Sequence, residues 1–349
     1  MNTSPLTPAE ADAADALIRL ALAEDLGTTG DRTSLATIPE TTLARAAFVA
    51  RSVGVVAGLP VAERVCRAVS AELTFTLTVA DGTATERGTV LATVEGPLRA
   101  VLAAERTALN FLQRLSGVAS LTRKYVDAAS GFRTQLLDTR KTTPGWRLLE
   151  KYAVRAGGGT NHRVGLYDGI LIKDNHIAGL GGDVRKSVEA ARAYSGNAGL
   201  LVEVEVDTLD QLEHALAVEA DIVLLDNMTL DELRAAVARR DAVAPATLLE
   251  ASGGVNLTTI RDIAATGVDR ISVGALTHSA PALDIGLDYL EQVPLGKRHL
   301  PNPCSHPARR GTWTPSASAG AYSCTTASRA PTHSRWRSLN RPTTRTASC

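Results

Sequence analysis

At 349 residues, 44% of them apolar, the chain has material for one large domain or two and for a sizeable core. Basic and acidic residues balance at 37 each, so nothing in the overall charge points to nucleic acid or to a membrane surface. Only one of the four cysteines, Cys66, precedes residue 300 and no metal-ligand spacing appears, which excludes a disulfide scaffold and fits a reducing, cytoplasmic setting. The opening stretch MNTSPLTPAEADAADALIRL lacks the basic start and apolar core of a secretory signal, and no apolar run reaches transmembrane length.

In chain order, residues 8–24 have the apolar spacing of an amphipathic helix, with Ala11, Ala14, Leu17, Ile18 and Ala21 on one face. A polar turn segment, EDLGTTGDRTS, follows. Between residues 44 and 101 short β-like runs alternate with turns, interrupted by a helix over 60–70, an α+β pattern without a parallel repeat. Residues 100–118 predict a strong helix with Leu102, Leu109, Leu112 and Leu115 inward; it could bridge this region to the next. From about residue 134 the rhythm changes. Strands are expected at 134–138, 169–173, 201–206, 221–226, 247–251 and 270–274. Helices are expected near 144–155, 183–194, 208–219, 229–239, 256–266 and 281–291. Six βα units without GxGxxG favour a closed or incomplete parallel barrel over a doubly wound sheet. Residues 293–349, rich in Arg, Ser, Thr and Pro without aliphatic periodicity, read as a disordered extension or an out-of-frame continuation.

The chemistry-bearing residues sit at strand ends. The first βα strand breaks into Thr139, Arg140 and Lys141, and the second into Lys173; His162 and Arg163 lie on the loop between them. The C-terminal ends of parallel strands are where such folds bind ligands, so this concentration of cations predicts a small ligand with several negative charges. Arg140 and Arg163 suit bidentate carboxylate or phosphate binding. Glu203 and Glu205 share one strand face, and Glu205 and Asp226 are placed to hold ribose hydroxyls or Mg²⁺. Ser252, Gly253 and Gly254, then Val273, Gly274 and Ala275, close the last two strands as loops where backbone N–H groups can meet a phosphate. For Lys173 a Schiff-base role is the rival reading. Arg106, mid-helix beside Glu105, reads as a surface ion pair on its own context.

The runs LLDTRKTTPGWR, EKYAVRAGGGTNHRVGLYDGILIKDNH, EVEVDTLDQ, VLLDNM, EASGGV and ISVGALTHS, in this order, resemble the quinolinate phosphoribosyltransferase family. EDLGTTGDRTS and ERTALNFLQRLSGVAS match its N-terminal half, and the likeness covers about residues 10–291. The resemblance implies an α/β sandwich domain over residues 1–117 and an incomplete α/β barrel over 118–276, with 277–292 packing back on the first domain. It implies transfer of phosphoribosyl from phosphoribosyl pyrophosphate to quinolinate with loss of CO₂, a pentosyltransferase step toward NAD, with Mg²⁺. It implies a homodimer in which Arg106 reaches the partner's site. Arg106, Arg140, His162 and Arg163 would then hold quinolinate, with Thr139 also among the substrate-binding residues. Lys141 and Lys173 would hold the phosphorylated co-substrate and act with Glu205 and Asp226 in the reaction, the two acids directly or through the metal. The 5-phosphate would rest on 252–254 and 273–275. A non-catalytic sensor of phosphoribosyl pyrophosphate, or a paralogue of the same fold, would share many of these residues.

Overall fold

The computed structural model describes residues 6–196 and 199–292; the expectation for residues 293–349 lies outside them. The chain opens with α1 (Pro8–Leu26), whose start is fixed by a capping box: the Thr7 hydroxyl accepts from Glu10 N, and the Glu10 carboxylate accepts from Thr7 N. Asp31 caps α2 (Arg32–Thr37), a short helix lying partly inside the segment expected to be a turn. Then come β1 (Leu43–Ala50), β2 (Gly54–Val55), α3 (Leu59–Val69), β3 (Thr74–Leu77), β4 (Ala84–Thr85), β5 (Val90–Pro97) and the long α4 (Leu98–Ala128). From there strand and helix alternate: β6 (Gln135–Leu137), α5 (Arg147–Ala156), β7 (Ile170–Ile172), α6 (Asp174–Gly179), α7 (Val184–Ser195), β8 (Val202–Val206) and α8 (Leu209–Ala217). They continue with β9 (Ile222–Asp226), α9 (Leu230–Val243), β10 (Leu248–Ser252), α10 (Ile260–Ala264), β11 (Arg270–Ser272) and α11 (Ala275–His278), and β12 (Ile285–Gln292) ends the described chain.

The barrel strands form one six-stranded sheet in the order β6-β11-β10-β9-β8-β7, every pair parallel. Buried on both faces, its strands run nearly continuously apolar, as in IVLLD of β9. The circle stays open between β6 and β7, where Thr160 makes a single parallel bridge to Leu137. All six strand C-termini therefore face one mouth.

The other sheet, β12-β1-β5-β3, is antiparallel. Its first member corrects an expectation: residues 281–291 do not form a helix. The segment DIGLDYLE satisfies both periods, and pairing of Ile285 through Gln292 with β1 decides for the strand. Ile285 is buried, and its carbonyl accepts from Gln113 Nε2 of α4 at 2.7 Å. Helix α4 runs ten residues past its expected end and packs on α3 and α5. Its Ser116 and Ser120 hydroxyls accept from Ala57 N and Val55 N, fastening the β2 segment to it. Gly117 of α4 lies against the Pro281 carbonyl, where a Cβ would overlap. Leu109, Leu112 and Leu115 face inward as expected, but Leu102 is 37% exposed.

Candidate active site

The mouth of the barrel is shaped from below by a polar knot absent from the sequence reading. Just past β6, Asp138 is completely buried and accepts from Lys151 Nζ of α5 at 2.5 Å, from Asn161 Nδ2 at 2.7 Å and from His162 N at 2.8 Å. Lys151 Nζ also donates to His162 O at 2.9 Å. Burial pushes the Asp138 carboxyl up and the Lys151 ammonium down, and each partner's charge opposes the shift. A second tie comes from Arg147, which donates to Thr142 Oγ1 at 3.1 Å and Val164 O at 3.1 Å. A third is the buried Glu150 carboxylate, which accepts from Arg114 Nη2 at 2.6 Å, Thr143 Oγ1 at 2.9 Å and Thr143 N at 3.1 Å. Together they hold the loops that carry Arg140, Lys141, His162 and Arg163.

Thr139, Arg140, Lys141, His162, Arg163, Lys173, Glu205, Asp226, Ser252, Gly253 and Gly254 all line one cavity of about 560 Å³. That size suits a small-molecule site. Arg163 Nη1 donates to Gly169 O at 3.0 Å, yet the Nε atoms of Arg140 and Arg163 are buried with no hydrogen-bond partner. Burial, then the Arg140 charge, pulls Arg163 below its ordinary range. Two guanidinium groups lining one cavity, each with a spare donor, suit an anionic ligand. Lys173 forms an ion pair with Glu205 across β7 and β8, which occupies its amine and makes a Schiff-base role unfavourable. Asp226 and Ser252 are paired in register at the ends of β9 and β10. Gly253 has φ +91, and a Cβ there would overlap Asn227 Oδ1, so only glycine brings that turn against the cavity wall.

Four expected site residues do not line this cavity. Val273 is 2% exposed, and Gly274 instead backs the side chain of Lys141, which itself reaches the mouth from the loop after β6. Ala275 starts α11, and Arg106 is exposed on α4. Both nitrogens of His162 are engaged: Nε2 lies 3.0 Å from Glu203 Oε2, and Nδ1 accepts from Arg163 N at 2.8 Å. Among the described residues, the one group of three side chains close enough to share a metal ion is His162, Glu203 and Glu250, rather than Glu205 with Asp226. Glu205 and Asp226 still bring hard carboxylate oxygens to the cavity, a donor set that suits Mg²⁺ shared with a ligand's phosphates. Asp138, Lys151, Arg147, Glu150, Glu250 and Arg270 escaped the sequence reading. Glu250 alone left a signal, as a lone charge inside the apolar strand LLEAS.

A parallel barrel whose mouth gathers cations and glycine turns around a pair of acids defines an enzyme-type site for a polyanionic ligand. Comparison with known proteins is specific. The family model "Quinolinate phosphoribosyl transferase, N-terminal domain" matches residues 31–116, and the corresponding C-terminal domain model matches residues 118–288. The chain belongs to the quinolinate phosphoribosyltransferase family. It is 47% identical over 285 residues to the nicotinate-nucleotide pyrophosphorylase [carboxylating] of Mycobacterium leprae, a match covering 81% of this chain and 99% of that protein. It is 43% identical over 266 residues to the probable enzyme of the same name from Bacillus subtilis, covering 76% and 89%. Among solved structures it resembles NadC from Streptococcus pyogenes (TM-score 0.76, 42% identity, covering 82% of this chain and all of that one). It also resembles the Francisella tularensis nicotinate-nucleotide pyrophosphorylase (TM-score 0.75, 39% identity, covering 83% and 99%).

Proposed function

We propose that the chain transfers phosphoribosyl from phosphoribosyl pyrophosphate to quinolinate and releases CO₂ and pyrophosphate, giving nicotinate mononucleotide for NAD synthesis. The observation that carries this reading is the pair Arg140 and Arg163, each with an unpartnered donor, in the same cavity as Lys173, Glu205 and Asp226. Quinolinate brings two adjacent carboxylates, which two guanidinium groups match. Lys141 and Lys173 offer charge to the pyrophosphate, and the Ser252–Gly254 turn offers backbone N–H groups to the 5-phosphate. As pyrophosphate leaves, positive charge grows on the ribose ring, where Glu205 and Asp226 stabilise it. The pyridine nitrogen then attacks the anomeric carbon. The ring becomes cationic, so the electron pair left by departing CO₂ is stabilised beside N⁺. The protein positions and neutralises, without a covalent intermediate.

Glu205 and Asp226 would hold Mg²⁺, which would add positive charge against the leaving group. The exposed Arg106, outside its own chain's cavity, fits a homodimer in which it completes a partner's site. The expected domain boundary lies near residue 117. No helix among the described residues is long and apolar enough to cross a membrane. CO₂ release from carboxyl-labelled quinolinate, with and without phosphoribosyl pyrophosphate, tests the reading. Release is expected only with both substrates, and Lys141→Ala and Lys173→Ala are expected to abolish it while leaving the fold intact. Absence of release with both substrates would overturn it.

A further inference from the structure

The reaction proposed above requires one atom from elsewhere: when CO₂ leaves, C2 of the ring must gain a proton. The barrel interior holds a row of polar and charged side chains from three strands and a loop: Glu203 on β8, His162 after α5, Glu250 on β10 and Arg270 on β11. His162 Nε2 lies 3.0 Å from Glu203 Oε2 but 3.6 Å from Glu250 Oε1, and Arg270 Nε lies 3.6 Å from Glu250 Oε2. The imidazole is committed to Glu203. Glu250 is 0% exposed, and the His162 and Arg270 nitrogens stand off from its oxygens at 3.6 Å, yet it lines the ligand cavity. A buried carboxylate held by so few close donors is costly, whereas a carboxyl that keeps its proton is not. The two acids of the row already face the His162 imidazole and the Arg270 guanidinium, so the arrangement does not call for a metal ion.

We propose that Glu250 is the acid that delivers the proton to C2 of the ring after CO₂ departs. The bond from C2 to its carboxylate breaks and leaves its electron pair on C2. The Glu250 O–H bond then breaks, the proton joins C2, and the electron pair stays on the carboxylate beside His162 and Arg270. Solvent returns a proton to Glu250 after product leaves. The groups facing Glu250 are Glu203, His162, Arg270 and the Ser272 hydroxyl; burial first, then the Glu203 charge, push its carboxyl up to about 7, so it holds a proton near neutrality. The alternatives in the cavity suit the task less. Guanidinium groups do not release protons. Lys173 is paired with Glu205, and Lys141 sits exposed at the rim.

The inference rests on the quinolinate reading, and the test separates the two. The full-length wild type, Glu250→Gln and Glu250→Asp are given both substrates and Mg²⁺ in an equal mixture of H₂O and D₂O. CO₂ release is timed, and the H:D ratio at C2 of the nucleotide product is read by NMR. Glu250→Gln is expected to be about a hundredfold slower, with quinolinate affinity kept, because removal of a general acid typically costs 10²–10⁴. Its product ratio is expected to change, because water replaces a carboxyl as donor; Glu250→Asp is expected to retain the wild-type ratio at a reduced rate. A purely structural role would slow Glu250→Gln without moving the ratio, and an unchanged ratio overturns the proposal. If Glu250→Gln does not fold, Glu250→Leu, which also lacks a donor proton, is read the same way: a moved ratio upholds the proposal and an unchanged ratio overturns it. If the wild type itself releases no CO₂, the quinolinate reading fails instead.

Discussion

Lys151→Met is the sharpest test of how the site is held together. The Lys151 and Asp138 side chains are 2% and 0% exposed and 2.5 Å apart. Methionine keeps the alkyl volume but strands the Asp138 charge. Removing one partner of a buried pair costs about 3–5 kcal/mol. Asp138 retains Asn161 and His162 N as donors, which argues for the lower end. The His162 carbonyl also loses its lysine donor, a further cost of about 1 kcal/mol. A loss of about 4 kcal/mol is therefore expected. At an m-value of about 3 kcal/mol/M this lowers the urea midpoint by a little over 1 M. Because Lys151 anchors the loop bearing Arg163, the quinolinate KM should rise as well. The double variant Lys151→Met/Asp138→Asn removes the stranded charge and should recover part of the stability. A single-variant loss under about 1 kcal/mol, or a double variant no better than the single, would refute the reasoning.

Arg163→Lys keeps the charge but loses the planar fork, and should raise the quinolinate KM about tenfold or more in steady-state assays with little change in melting temperature. Mixing Arg106→Ala with Lys173→Ala, each inactive alone, should restore part of the activity if Arg106 serves a partner's site; no recovery after refolding together would argue against the shared site. Glu250→Gln should change the pH dependence of stability. The folded-state carboxyl is raised from 4.5 to about 7, so its contribution is complete below about pH 4.5 and is lost as pH rises through 7. Glutamine has nothing to lose, so in urea melts at pH 5 and pH 8 the variant should gain on the wild type toward pH 8, by at most on the order of 3 kcal/mol.

Most of the barrel was legible because its strands are short apolar runs ended by polar residues, a pattern set by burial on both faces. The cavity lining was legible for the same reason: a cation after an apolar strand has only the mouth to face. What escaped was decided by partners distant in sequence. Lys151 and Glu150 look like the solvent face of a helix until Asp138 and Arg114 are brought against them. Residues 285–292 satisfy two periods, and only β1 selects one. Val273 was expected in a phosphate loop, but the strand end turns it inward and presents Gly274 to Lys141 instead.

The pairing of β1 with β12 has a consequence for how the molecule is made. Ala44 waits for Gln292, and Ala50 for Ile285, across the whole intervening barrel. During synthesis the first sheet emerges from the ribosome with one margin bare, a surface open to adventitious strands. It is sealed only after every βα unit has been translated. The oldest layer of the nascent chain is thus the last to be finished.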